Sequence, residues 1–319
     1  MLETVVHPSM TAVHMAGQHM TQPIHSMRGG QAVAHEDESG DSPLREEVAD
    51  TIKRTRAGEA FRALTHPLYW LYERRLVRSL DPAAMPKHIG LILDGNRRFA
   101  RRNGLDTRHG HQFGVRKLKT FMEWCLEFGV AHVTLFVFST ENFNRSPDEV
   151  QYLLDLFVRE SAKLLDGLRL ETEKVRVKVI GQRHRLPQNV LEASEALELS
   201  TAEHQGMLLT IALAYGGREE IVDAVKALLV EAAEQGKTLS SVADDLSAEQ
   251  LSTHLYTAGQ PDPDFIIRTS GEQRLSGFLL WQSAYSELYF CDALWPKFRR
   301  IDFLRALRDF QRRERRYGS

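Results

Sequence analysis

The sequence predicts an α/β fold, a single domain with a central, mostly parallel sheet flanked by helices. Three observations carry this reading. Five short apolar runs of strand-forming residues punctuate the chain, they lack the polar alternation of a half-exposed sheet, and long helical patterns separate them. Strand and helix in alternation is the pattern of crossover units, which cover both faces of a parallel sheet. At 319 residues, 42% hydrophobic and 26% charged, the chain can supply the core this needs.

In chain order, residues 1–43 hold five of the 13 histidines, show no hydrophobic period and end in the acidic stretch HEDESGDSP. They read as a disordered tail, and the spacing of His7, His14, His19, His25 and His35 is too irregular for one helical face. Residues 44–80 form a helical extension in which Leu68, Leu71 and Leu76 lie among charges, expected to pack on the main domain at 81–319. Strands are expected at 88–93, 132–139, 175–180, 207–214 and 264–268. A helix at about 112–128 presents Leu118, Phe121, Met122 and Cys125 on one face and stops at Gly129. Another starts at Ser146-Pro147-Asp148-Glu149, which supplies a cap, a first-turn proline and a capping-box glutamate ahead of Val150, Leu153, Leu154 and Phe157.

Composition narrows the function. With 41 basic and 43 acidic residues no global basic field draws the molecule to nucleic acid, so anion binding must be local. Cys125 and Cys291 form no metal-binding pair or disulfide framework, which suits a reducing cytoplasm. The sequence has no apolar run near the length of a membrane span, and its start lacks the apolar core of a signal peptide. The C-terminal helix FLRALRDFQRRERRYG is rich in arginine and reads either as a solvated face or as a peripheral contact with anionic lipid.

Ligands of open α/β sheets bind beyond the carboxyl ends of the strands. After the first strand comes Asp94-Gly95-Asn96-Arg97-Arg98. A carboxylate, a small residue and two guanidinium groups on a helix start are parts of a diphosphate site, although Asp-Gly alone also makes a common turn. After the second strand come Ser139, Thr140, Glu141, Asn142, Phe143, Asn144 and Arg145. Asn142 either closes an Asx turn or relays a proton to a bound phosphate. After the fifth come Arg268, Thr269, Ser270, Gly271, Glu272 and Arg274, a loop suited to a second anion. Glu287, in WQSAYSELYF, reads on its own as a solvated residue.

Together the segments HIGLILDGNRRFAR, FSTENFNR, AYGGREEI and PDFIIRTSGEQRLSGFLLWQSAYSELYF resemble the cis-prenyltransferase, or undecaprenyl diphosphate synthase, family, from about residue 66 to the C-terminus. The resemblance implies a homodimeric enzyme that condenses an allylic diphosphate, geranyl or farnesyl, with isopentenyl diphosphate. It places Mg²⁺ on Asp94 with Glu287 as a second acid, and makes Asp94 and Asn142 catalytic. Gly95, Asn96, Arg97, Arg98, Phe99 and His111 fall on the allylic-diphosphate positions. Ser139, Thr140, Glu141 and Phe143 flank Asn142, while Arg145, Arg268, Arg274, Leu275 and Ser276 fall on the isopentenyl-diphosphate side. It also implies a hydrophobic tunnel whose floor is the strand bearing Val137 and the helices bearing Phe121, Met122, Leu153 and Phe157. The chain departs from the family at Arg97 (usually small), at Phe99 (usually Trp) and at Thr107, where an arginine is expected and Arg108 stands next to it. DGNRR and Val137 resemble the actinobacterial members that make a short Z,E-farnesyl product; a long-chain polyprenyl synthase or a non-catalytic partner subunit are the alternatives. A nucleotide-dependent phosphotransferase would need a GxxxxGK[ST] loop, and a trans-type synthase a DDxxD pair; the sequence has neither.

Overall fold

A computed structural model describes residues 69–166 and 175–313. The expectations for 1–43 and for most of 44–80 lie outside these residues. Six strands, β1 (His88–Ile92), β2 (His132–Ser139), β3 (Arg176–Ile180), β4 (Leu208–Tyr215), β5 (Phe265–Arg268) and β6 (Glu287–Phe290), form one sheet in the order β3-β4-β2-β1-β5-β6. Every pairing is parallel. The described helices are α1 (69–79), α2 (Asn96–Arg102), α3 (Thr107–Glu127), α4 (Pro147–Asp166), α5 (Gln188–Ser200), α6 (Gly217–Glu234), α7 (Leu239–Asp245), α8 (Ala248–Ser252) and α9 (Arg300–Arg312).

The apolar runs become strands because their residues are buried on both faces, all five residues of β1 among them. Ile89, Leu91, Val133, Leu135, Val177, Val179, Phe265 and Ile267 pack into the larger core with α1, α3, α4, α5 and α9. Ile92, Ile180, Ala212 and Ile266 point the other way, toward Tyr215, Phe278 and Leu279. Phe121 lies fully buried at the centre of an aromatic group, with ring centroids 5.7 Å from Trp295 and 5.1 Å from Phe303. It therefore holds α3 against α9. Met122, Leu153 and Phe157 are half-buried against the same core.

Two expectations of the sequence need correction. Helix α3 starts at Thr107, five residues earlier than expected, because the Asp106 carboxylate caps it by accepting from the Arg108 N–H at 2.7 Å. The stretch holding Glu287 is a short sixth strand, β6, which completes the sheet beside β5. α1 is bound to α9 by a Glu73–Arg300 ion pair and by burial of Leu76, while Leu71 is 60% exposed.

Candidate active site

The first half of the site is the turn at the end of β1. The Asp94 carbonyl accepts from the Trp295 N–H at 3.0 Å and from the Thr269 hydroxyl at 2.7 Å, which fastens the turn from two sides. Gly95 has φ +110°, and a Cβ there would lie 3.0 Å from the Leu294 backbone, so glycine is required on two counts. Asn96 then opens α2 against two glycines of α3. A Cβ on Gly110 would stand 2.3 Å from the Asn96 carbonyl oxygen, and one on Gly114 would stand 2.6 Å from its side-chain oxygen. Phe99 is buried edge-on to Phe113 at 5.3 Å and fixes α2 on α3.

Arg268, at the end of β5 and 4% exposed, faces this turn. Its guanidinium donates to Asp94 at 2.9 Å, to the Ser276 hydroxyl at 2.8 Å and to the Arg274 carbonyl, while Nε is buried without a partner. Arg98, one helical turn beyond Asp94, lies 3.6 Å from that carboxylate and 3.4 Å from Glu272, and donates to the Ser270 hydroxyl. The loop that carries these hydroxyls takes left-handed backbone at Ser270 (φ 77°), Gly271 (φ 77°), Ser276 (φ 50°) and Gly277 (φ 80°). Non-glycine residues in that region cost about 1–3 kcal/mol each, a cost found chiefly at functional sites. Arg274 is 62% exposed on its pair with Glu272, and Leu275 packs into the smaller core below. Three guanidinium groups around two carboxylates, with a buried donor unpaired, form a natural anion receptor.

A second cluster lies beyond β2. Ser139–Asn144 make a tight turn in which the Asn142 side-chain oxygen accepts from the Ser139 N–H at 3.2 Å. This is the reciprocal bond of a capping box, not the Asx turn the sequence offered, and it commits the amide oxygen while leaving the amide NH₂ for another acceptor. Thr140 is buried, and its hydroxyl donates to the exposed Glu141 at 3.5 Å. Phe143 meets Phe138 edge-on at 4.9 Å and carries the Arg185 guanidinium 4.4 Å above its ring. Arg145 then reaches Glu149 at 2.8 Å, and Arg97 and His111 approach the same carboxylate oxygen at 3.6 and 3.7 Å. Burial, with Arg145 nearby, holds the His111 pKa down to about 4, so its imidazole is neutral near pH 7. Its buried Nε2 has no hydrogen-bond partner.

Glu149 was read only as a capping residue. Arg145 stands on extended backbone two residues before α4, so helical spacing alone gives no signal of the pair. Glu287 is not brought to Asp94 within the chain. It pairs with Phe265, and Phe265 with Ile89, so it sits at the opposite end of the strands from Asp94 and binds Arg313 at 2.8 Å. Thr107 begins α3, and Arg108 lies 5.4 Å over the Tyr152 ring, away from the Asp94 group. The fourth strand end, Tyr215-Gly216-Gly217, makes an internal network. The Tyr215 hydroxyl donates to buried Glu220, which also accepts from Gln282 at 3.0 Å and from the Tyr256 N–H at 2.9 Å.

Residues 92–318 match the family model described as putative undecaprenyl diphosphate synthase. An isoprenyl transferase of Thermus thermophilus is 59% identical over 256 residues, 80% of this chain and 97% of that relative. A (2Z,6E)-farnesyl diphosphate synthase of Thermobifida fusca is 49% identical over 253 residues, covering 79% of this chain and 97% of that one. Among solved structures, lavandulyl diphosphate synthase from Lavandula x intermedia, in complex with dimethylallyl diphosphate, is similar with a TM-score of 0.70 and 33% identity, over 74% of this chain and 100% of the other. The chain therefore belongs to the undecaprenyl diphosphate synthase family of prenyl transferases.

Proposed function

We propose that this enzyme condenses geranyl or farnesyl diphosphate with isopentenyl diphosphate to give a Z-prenyl diphosphate of short chain. The observation that carries the reading is the anion receptor built by Arg98, Arg268, Ser270 and Ser276 around Asp94, with Arg268 Nε buried and unpaired. Arg98 and Arg268 bind and neutralise diphosphate, and the turn fastened at Asp94 orients it. Asn142, its oxygen held by Ser139, presents its NH₂ to a phosphate oxygen and so positions the group that takes the proton lost as the new double bond forms.

Asp94 fits Mg²⁺ as a single carboxylate ligand. No cluster of three or more metal-ligating side chains exists among the described residues, and Mg²⁺ commonly binds through one or two carboxylates plus phosphate oxygens. The ion would supply Lewis-acid stabilisation of the departing diphosphate.

A short product is supported by Val137. A bulge in β2 leaves this side chain 37% exposed in the middle of a central strand, so its bulk projects into open space beside the sheet. The homodimer is supported by an apolar stripe on α6, where Val222, Val225 and Leu229 are 51%, 39% and 41% exposed. A peripheral membrane contact is supported by exposed Trp70 and Leu71 beside Arg74, Arg75 and Arg78 on α1. No helix among the described residues is long and apolar enough to cross a membrane.

The test is to incubate the protein and Mg²⁺ with labelled isopentenyl diphosphate and geranyl or farnesyl diphosphate, and to size the products. Asp94→Ala is expected to lose turnover by about 100-fold or more while remaining folded. Absence of product from either primer, or near-normal turnover of the variant, would refute the assignment.

A further inference from the structure

One oxygen of Glu149, at the start of α4, collects Arg145 at 2.8 Å, Arg97 at 3.6 Å and His111 at 3.7 Å. Two guanidinium groups and an imidazole are the equipment of a phosphate site, yet here they surround the protein's own carboxylate. The group is not saturated. The His111 residue is 9% exposed, and its Nε2 has no hydrogen-bond partner because 3.7 Å is too long for one. The Glu149 side chain is 14% exposed, so its charge acts through protein more than through water.

We propose that Glu149 is an internal competitor for diphosphate. It holds Arg97 and Arg145 between turnovers, yields them to an arriving diphosphate and takes them back as inorganic pyrophosphate leaves. The proposal rests on reading these strand ends as a diphosphate site. The geometry suits an exchange, since Arg145 stands on extended backbone just before α4 and meets Glu149, in the first turn of that helix, through a single side-chain contact at 2.8 Å. Arg97, with a 46% exposed side chain and a 3.6 Å approach, is loosely held. With His111 neutral, the carboxylate reduces the group to one net positive charge. Without it, Arg97 and Arg145 would form an uncompensated trap for the leaving pyrophosphate.

The test is calorimetric binding of inorganic pyrophosphate, in chelator and at fixed ionic strength, to wild type, Glu149→Gln and the double variant Glu149→Gln/Arg97→Gln. Glu149→Gln should bind pyrophosphate at least fivefold more tightly, and the double variant should lose at least half of that gain. In turnover, kcat and KM for the allylic substrate should fall together, as expected when product release slows; a purely structural role would raise KM. Unchanged or weaker binding by Glu149→Gln would overturn the proposal, as would a gain that survives in the double variant. If Glu149→Gln fails to fold, Glu149→Asp, whose shorter carboxylate holds the arginines less well, should bind at least twofold more tightly, and equal binding there would be equally decisive against it. Wild-type protein that binds no pyrophosphate would overturn the diphosphate-site reading and this inference with it.

Discussion

Replacing Arg268 with methionine keeps the apolar stem and removes the guanidinium that joins Asp94, Ser276 and the Arg274 carbonyl. Two effects follow, and they differ in size. Breaking a fully buried ion pair costs about 3–5 kcal/mol. The Asp94 side chain is 31% exposed and keeps Arg98 at 3.6 Å, so the stability loss here is about 1–2 kcal/mol after allowing for solvent screening. The proposed role makes the effect on catalysis larger, because two charge-assisted hydrogen bonds to diphosphate, at about 1.5–3 kcal/mol each, would make about 3–6 kcal/mol. That corresponds to a fall of roughly 100- to 20,000-fold in kcat/KM for isopentenyl diphosphate. Urea unfolding gives the first quantity, and pyrophosphate release under initial-rate conditions gives the second. Arg268→Lys should recover only a small part of the loss, since an ammonium cannot span three acceptors. A kcat/KM within threefold of wild type for the methionine variant, with the fold intact, would refute the role given to this arginine.

Three further outcomes are expected. His88 is buried, with its ring bonded to the Pro261 carbonyl at 2.7 Å and to Thr134 at 2.8 Å, and desolvation holds its pKa near 4, below its ordinary value. The fold therefore favours the neutral ring: this stability is fully present above about pH 6.5 and is lost as pH falls toward 4, by about 3 kcal/mol in all. Urea midpoints at pH 7 and 4.5 should differ less in His88→Gln than in wild type, and identical differences would contradict the account. Gly110→Ala should destabilise by about 1–3 kcal/mol, because its methyl would meet the Asn96 carbonyl, and should lower turnover by displacing the start of α2; an unchanged melting temperature would count against this packing. Val137→Ala should lengthen the prenyl products seen by chromatography, and an unchanged distribution would remove the support it gives to a short chain.

The sheet was largely legible because Ile89, Leu91, Val133 and Leu135 are buried on one face of a parallel array and Ile92, Ala212 and Ile266 on the other, and such burial writes itself as continuous apolar runs. β6 was not legible, since Glu287–Phe290 is an edge strand of four half-buried residues with no period to detect. The Asp94 and Arg268 groups were foreshadowed by polarity just beyond the runs. The placements of Glu149 and Glu287 were not, because each depends on which neighbour the fold delivers: Arg145, Arg97 and His111 to the first, Arg313 to the second. Phe121 shows the same limit. Helical spacing showed that it faces inward, and only packing shows that its neighbours are Trp295 and Phe303.

Asp94 and Arg268 are 174 positions apart in the chain, yet their strands are immediate neighbours in the sheet. During synthesis the first of the two must wait for most of the polypeptide to emerge before its partner exists. A chain that stops before residue 268 therefore lacks the partner of Asp94.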